Sequence, residues 1–215
     1  MSTTLPPAPK GTLLHHRTYD VEAYKADDGR LILRGSLHDQ KPPGIYFDDD
    51  PEPLSVHLMV VELTLAFPAL EIEKVDVLMD VTPHRGCSTI EQRYQQLVGL
   101  SIARGFSRKV KDLFGGPSGC THIGALLQAM APVAIQSMWS MRAVDETPVA
   151  LTPEEQDEQR RRAMAFNADT CHIWARDGEQ MARIEAGDEL EPPVWAVERL
   201  EKLGRPADEW FKTGG

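Results

Sequence analysis

The chain has 215 residues, 41% hydrophobic and 26% charged, an ordinary globular composition for one domain with room for a sizeable core. Its net charge is −10, from 23 Lys and Arg against 33 Asp and Glu, which disfavours non-specific nucleic-acid binding because phosphate contacts need a cationic surface. The longest apolar run, residues 56–70, is broken by His57, Glu62 and Thr64 and is too short for a bilayer, and residues 1–10 lack the basic-then-apolar order of a secretory leader; a cytoplasmic protein with no membrane partner is expected.

Residues 1–12 are polar and proline-rich and read as a flexible tail. Residues 17–24 then alternate partly, with Tyr19 and Val21 on one face as inward positions. The turn Ala26-Asp27-Asp28-Gly29 leads to a hairpin partner over residues 30–37. Residues 40–54 carry four prolines and the acidic run Asp48-Asp49-Asp50, and read as a loop. Strands follow over 56–66 and 69–81, joined at Phe67-Pro68, and no connection is long enough for a crossover helix. The first third is therefore an antiparallel meander of about four strands.

The period then changes. Residues 89–104 place Ile90, Tyr94, Leu97, Val98 and Ile102 at near-helical spacing, closed by Gly105. A short helix over 107–114 takes Ser107 as N-cap, and the longest helix, 120–141, holds Pro132 as a kink point. A charged helix is expected over 152–166, opened by Thr152-Pro153. Residues 169–175 and 180–186 flank Arg176-Asp177-Gly178 and predict a second, small C-terminal hairpin; helices close the chain near 194–203 and 207–212. The expected architecture is α+β, an antiparallel sheet with helices packed on one side. One domain spans 13–190, and residues 191–215 form a helical tail packed on it.

Three cysteines, an odd count in an expected reducing compartment, argue against a disulfide framework and leave thiol chemistry, metal ligation or core packing. The first candidate segment is Gly115-Gly116-Pro117-Ser118-Gly119-Cys120-Thr121-His122. Glycines let backbone approach a ligand, and free N–H groups at a helix start favour an anion, so Gly116, Ser118 and Gly119 are candidates for substrate binding. The same field lowers a thiol pKa, and in a first helical turn Cys120 and His122 can face one centre. A glycine-rich helix start with a buried Cys is the alternative. No Gly-Lys-Ser/Thr follows, so this is not a Walker-type phosphate loop.

The second segment, Asp80 to Cys87, leaves the sheet and enters a helix, with His84 three residues before Cys87; half a metal site and a capped strand-to-helix turn both fit. The third is Thr170-Cys171-His172, where adjacent strand residues face opposite sides and only one can join a site. Cys87, Cys120 and Cys171, each with a His within three residues, suggest together a tetrahedral zinc or iron site. No C-x-x-C pair exists, which excludes a zinc ribbon or thioredoxin motif. His57 opens a strand, and Asp39 beside His38 ends one; an Asp near a His can orient an imidazole or ligate a metal. The four Trp are dispersed without stacking-platform spacing.

Several of these pieces stand in a familiar order: Leu37-His38-Asp39-Gln40-Lys41, Val56-His57-Leu58, Pro83-His84-Arg85-Gly86-Cys87, residues 97–106, Gly115 to His122, and Cys171 ahead of Asp177-Gly178. The chain resembles the bacterial family of domain of unknown function 2889 over roughly residues 15–186. The resemblance makes Cys87, Cys120, His122 and Cys171 family pattern positions and implies a setting in the catabolism of carboxylated or aromatic compounds. Iron–sulfur scaffold proteins offer a further likeness of architecture, a small antiparallel sheet with helices and three cysteines.

Three functions follow. The first is a small metal-dependent enzyme, a lyase, isomerase or hydrolase. In it Cys87, Cys120 and Cys171 with His122 or His57 hold zinc or iron, an anionic small molecule sits at 116–119, and Asp39 or His84 moves protons. The second is a non-catalytic metal or iron–sulfur binder with a closed coordination sphere. The third is a metal-free thiol enzyme with Cys120 as nucleophile and a nearby His as base. Three inert core cysteines in an interaction protein are the bland alternative. Strand 56–66, if at an edge, offers a homodimer contact.

Overall fold

The computed structural model describes residues 7–103, 105–145, 166–188 and 191–213, with positions 152, 155, 158, 161 and 162 between them. The chain forms two compact units, 1–141 and 142–215, and the boundary falls inside the span taken from sequence as one domain.

The first unit is built on a four-stranded antiparallel meander, β1 (His16–Lys25), β2 (Leu31–Lys41), β3 (Leu54–Ala66) and β4 (Glu71–Val81), in that spatial order. The connections run over residues 26–30, 42–53 and 67–70, and each strand lies beside its sequence neighbour. One face of the sheet carries Leu31, Leu33 and Leu37 of β2, Met59, Val61, Leu63 and Leu65 of β3, and Ile72, Val75 and Met79 of β4, all buried. Tyr19 and Val21 of β1 lie on this face opposite Leu37 and Gly35. Val21 packs against the core, but Tyr19 is 44% exposed because β1 is the sheet's edge.

Helices α1 (Phe106–Phe114) and α2 (Thr121–Asp145) cover that face. Phe106, Val110 and Phe114 at i, i+4 and i+8 bury one stripe of α1; Ile123, Leu126, Leu127, Met130 and Ala134 bury α2. Gly35 explains how close α2 comes. A Cβ there would lie 2.8 Å from Met130 Sδ and 3.1 Å from Leu126 Cδ1. A glycine inside a strand here marks the crossing of a helix.

Four expectations change in this unit. The helix expected over 89–104 is a 3-10 segment, Cys87–Leu97, which ends before Gly99 at φ 85°. Residues 99–102 then run beside β4, with the Gly99 N–H donating to Ile72 O at 2.8 Å and Ile102 N–H to Leu70 O at 2.9 Å. The backbone gains sheet-type partners there that a continued helix would forgo. Ser107 is not the N-cap of α1; Gly105, at φ 83°, holds that place, and the Ser107 hydroxyl donates to Gln128 instead. β2 extends past residue 37 to Lys41, which puts Asp39 inside the strand. Finally, β3 is central rather than an edge, so it has no free side for a second copy. The open side of β4 is met by side chains of the 3-10 segment: Glu91 accepts from Met79 N–H at 2.8 Å, and Gln95 donates to Val75 O at 2.7 Å.

In the second unit the expected hairpin is absent. Residues 172–174 form a 3-10 turn, His172–Trp174, and 179–185 form α3 (Glu179–Glu185). Met181 and Ile184, three apart, are buried, a helical spacing set in strong helix formers. Gly178 precedes that helix, and its N–H donates to Ala175 O rather than turning a hairpin. α4 (Val194–Lys202) buries Ala196 and Leu200, and Trp195 meets Trp210 edge-on with centroids 5.0 Å apart. The helix expected over 152–166 falls largely outside the described residues. Among the described residues no helix is long and apolar enough to cross a membrane.

Candidate metal centre

Strand direction alternates in a meander, so the end of β2, the start of β3 and the end of β4 lie at one end of the sheet. Asp39 stands there directly opposite His57, on the face that α2 covers. A bulge shapes this end: Gln40 pairs with Ser55, leaving Val56 without a partner position in β2. Beyond the bulge the side chains change faces, so Ser55 meets His38, with Nε2 to Oγ at 2.8 Å, while His57 stays inside.

α2 delivers the third group. From Gly35 to Asp39 is ~13 Å along a strand, and from Met130 back to His122 is ~12 Å along a helix. The crossing at Gly35 therefore sets the first turn of α2 over Asp39. Its position is fixed further by Tyr94, fully buried, whose hydroxyl accepts the Cys120 N–H at 2.9 Å and whose ring lies 4.6 Å from that of Phe114. Burial raises the Tyr94 pKa, although the Cys120 N–H opposes that. One N–H at this helix start, that of Cys120, is thus taken by the protein.

Asp39 is the centre of the cluster and is 1% exposed. Its Oδ2 lies 3.1 Å from His57 Nδ1 and 3.5 Å from His122 Nε2. The His57 and His122 rings stack, with centroids 3.8 Å apart. Arg17 grips the carboxylate with both arms of its fork, Nε to Oδ1 at 2.6 Å and Nη2 to Oδ2 at 2.7 Å, and His15 Nε2 meets Oδ1 at 3.0 Å. No buried side-chain polar atom among the described residues lacks a partner.

Asp39, His57 and His122 each offer one ligand atom, all within 4.8 Å of one another. Tetrahedral ligands about 2.1 Å from a metal sit ~3.4 Å apart, close to the two distances from Oδ2. The arrangement can hold a divalent transition metal. It can also pass a proton along a line, since Cys120 Sγ lies 3.6 Å from His122 Nδ1, on the ring's other nitrogen.

The Arg17 guanidinium holds the Asp39 carboxyl well below the usual carboxylate range, against its burial and with help from His15. Asp39 in turn raises the Arg17 pKa. Burial lowers the His122 pKa, the charges of His57 and Arg17 lower it further, and Asp39 opposes them. Both depressed groups bind fewer protons folded than unfolded, so stability rises with pH through their range. The metal-free protein is expected to lose stability as pH falls below about 6.5, where unfolded histidine takes its proton, and again below about 4 for Asp39. Denaturation midpoints between pH 8 and 3 check this. A His122→Gln variant flattens the upper limb, and a rise in stability from pH 7 to 5 would contradict the assignment.

The other sequence candidates lie elsewhere. Cys87, half-buried, starts the 3-10 segment, and His84 is exposed on the turn before it, its carbonyl accepting the Cys87 N–H at 3.1 Å. Cys171 is exposed in the second unit. Neither Cys87 nor Cys171 is among the three gathered ligand groups. Gly116 takes φ 58°, and Ser118 N–H donates to Gly115 O at 3.2 Å. At Gly119 a Cβ would fall 2.4 Å from Phe114 O, so the turn itself requires that glycine without any ligand. Arg17 and His15 were not singled out from sequence. The signal available was the place of Arg17 on the strand beside Asp39, with His15 just before that strand, which only pairing register makes readable.

A comparison with the curated proteins and another with the solved structures give no match. The family model described as "Protein of unknown function (DUF2889)" matches residues 15–136. That span holds the whole cluster, from His15 to His122, and ends before Cys171, short of the span on which the resemblance was read. More than half of the chain lies within it, and the chain belongs to this family.

Proposed function

We propose that Asp39, His57 and His122 bind zinc or iron, and that the protein is a metal-dependent enzyme acting on an anionic small molecule. The observation that carries this reading is the shared Asp39 Oδ2, at 3.1 and 3.5 Å from one nitrogen of each histidine. Two histidines and one carboxylate are a hard-to-borderline set suited to those metals. Three protein ligands leave a coordination position open, as in catalytic rather than structural sites. His57 and His122 keep 15% and 21% of their side-chain surface, which supports access from solvent.

A metal held so would polarise a bound substrate or a water at the open position. Cys120, on the Nδ1 side of His122, orients that ring instead of ligating. Asp39 is ill suited to moving protons, because Arg17 keeps it ionised. His15, 39% exposed and bound to Oδ1, is better placed for that work than His84. The three free thiols suit a reducing, cytoplasmic compartment.

A second reading rests on the line Cys120 Sγ, His122, Asp39, with 3.6 and 3.5 Å steps through the two ring nitrogens. It makes Cys120 a nucleophile with His122 as base. Elemental analysis of protein purified without chelator separates the two. The metal reading expects about one zinc or iron per chain, lost in His57→Ala and His122→Ala and kept in Cys87→Ala and Cys171→Ala. Metal-free protein whose Cys120 alone is alkylated rapidly by iodoacetamide would replace it with the thiol reading.

A further inference from the structure

Arg17 places a full positive charge on the one carboxylate of the cluster. Its Nε and Nη2 lie 2.6 and 2.7 Å from the two oxygens of Asp39, closer than either of the two clustered histidines comes to that carboxylate. No second Asp or Glu joins Asp39, His57 and His122 in the gathered group among the described residues. The charges of Asp39 and Arg17 cancel, and imidazole ligands are neutral when they bind metal. The two charges of a divalent ion would meet no net charge of opposite sign from Asp39, Arg17 and the two imidazoles. In a half-buried site such an excess is far less screened than in water.

We infer that the site is built to take its metal together with an anion, with Arg17 neutralising Asp39 so that an anionic ligand at the open position supplies the charge balance. This rests on the metal reading above and adds a physical reason for an anionic ligand and the residue that sets it. Arg17 acts here through Asp39, as a positioning and charge-setting residue. Its fork holds the carboxylate in place, and its charge weakens the carboxylate as a ligand. The metal alone is therefore held loosely, and the metal–anion pair tightly. Linkage makes the coupling reciprocal: whatever factor the anion adds to metal affinity, the metal adds to anion affinity.

The test uses the full chain loaded with cobalt(II), whose absorption reports ligands at the open position, and titrates azide as the anion against imidazole as the neutral probe. In the wild type, the ratio of azide to imidazole affinity is expected at least tenfold higher than for cobalt ion in water. Arg17→Gln frees the carboxylate: cobalt is expected to bind at least fivefold tighter without azide, and azide at least fivefold weaker. Arg17→Lys keeps the charge and is expected to stay within twofold of wild type for azide. Imidazole affinity changes less than twofold throughout. Equal azide affinity in the wild type and Arg17→Gln, or a wild-type ratio no higher than in water, overturns the inference and leaves the metal reading standing. If Arg17→Gln fails to fold, the wild-type ratio alone decides. No cobalt uptake by the wild type, with or without azide, overturns both.

Discussion

Asp39→Ala is expected to abolish metal binding and to destabilise the metal-free protein by about 2–4 kcal/mol at pH 7. The side chain is 1% exposed and holds Arg17, His15 and His57 at hydrogen-bonding distance. Removing it leaves a guanidinium and two imidazoles facing a small cavity without their acceptor. Arg17 keeps about a third of its surface and recovers some water, which keeps the loss from rising further. Asp39→Asn retains the volume and one acceptor, and should fall between Ala and wild type. Urea denaturation with an unchanged slope reads the stability change, and elemental analysis reads the metal. A loss under ~0.5 kcal/mol would be what a solvated surface group gives, and would remove Asp39 from the centre of the site.

Gly119→Ala is expected to cost about 3 kcal/mol or more and to weaken metal binding at least tenfold. The new Cβ would fall 2.4 Å from Phe114 O, 2.6 Å from Phe114 Cβ and 2.9 Å from Phe114 Cα. Two of those atoms are backbone, so no side-chain rotation relieves the clash. The start of α2 must shift, and it carries Cys120 and His122 with it. Gly124, one turn into α2, has open space where its Cβ would be. Gly124→Ala should instead stabilise by roughly 0.5–1 kcal/mol, as removal of a helical glycine does. Equal behaviour of the two variants would show that the turn tolerates a side chain and that His122 is placed by something else.

The sheet was legible because its signal is local. Alternation of apolar residues and proline- or glycine-bearing connections without a helical pattern specify a meander before any tertiary contact is known. The second hairpin failed for a related reason: an Asp-Gly pair reads as a turn whether strands or helices flank it, and Met181 and Ile184 satisfy a helix over so short a stretch. Among the site residues, Asp39, His57, Cys120 and His122 were found by residue type. What joined them was not readable. Cysteine spacing drew attention to Cys87 and Cys171, whereas the partner of Asp39 is set by strand register, by the bulge at Val56 and by the helix crossing at Gly35. Gly35 was the missed clue, since a glycine amid leucines in a strand asks what lies against it.

The edge strand β1 gains a further meaning from its ties to Asp39. Its residues are exposed on nearly every position, and Val21 is the one that packs against the core. A strand with so little apolar pattern has weak means of choosing its alignment, and a slip of two residues would keep its faces while moving every pair. Only in the native alignment does Arg17 come opposite Asp39 and hold both of its oxygens, with His15 joining it at Oδ1. The carboxylate thus serves as a keyway for the amino-terminal strand. A misthreaded edge leaves the centre without its guanidinium, so a correctly charged site certifies a correctly aligned sheet.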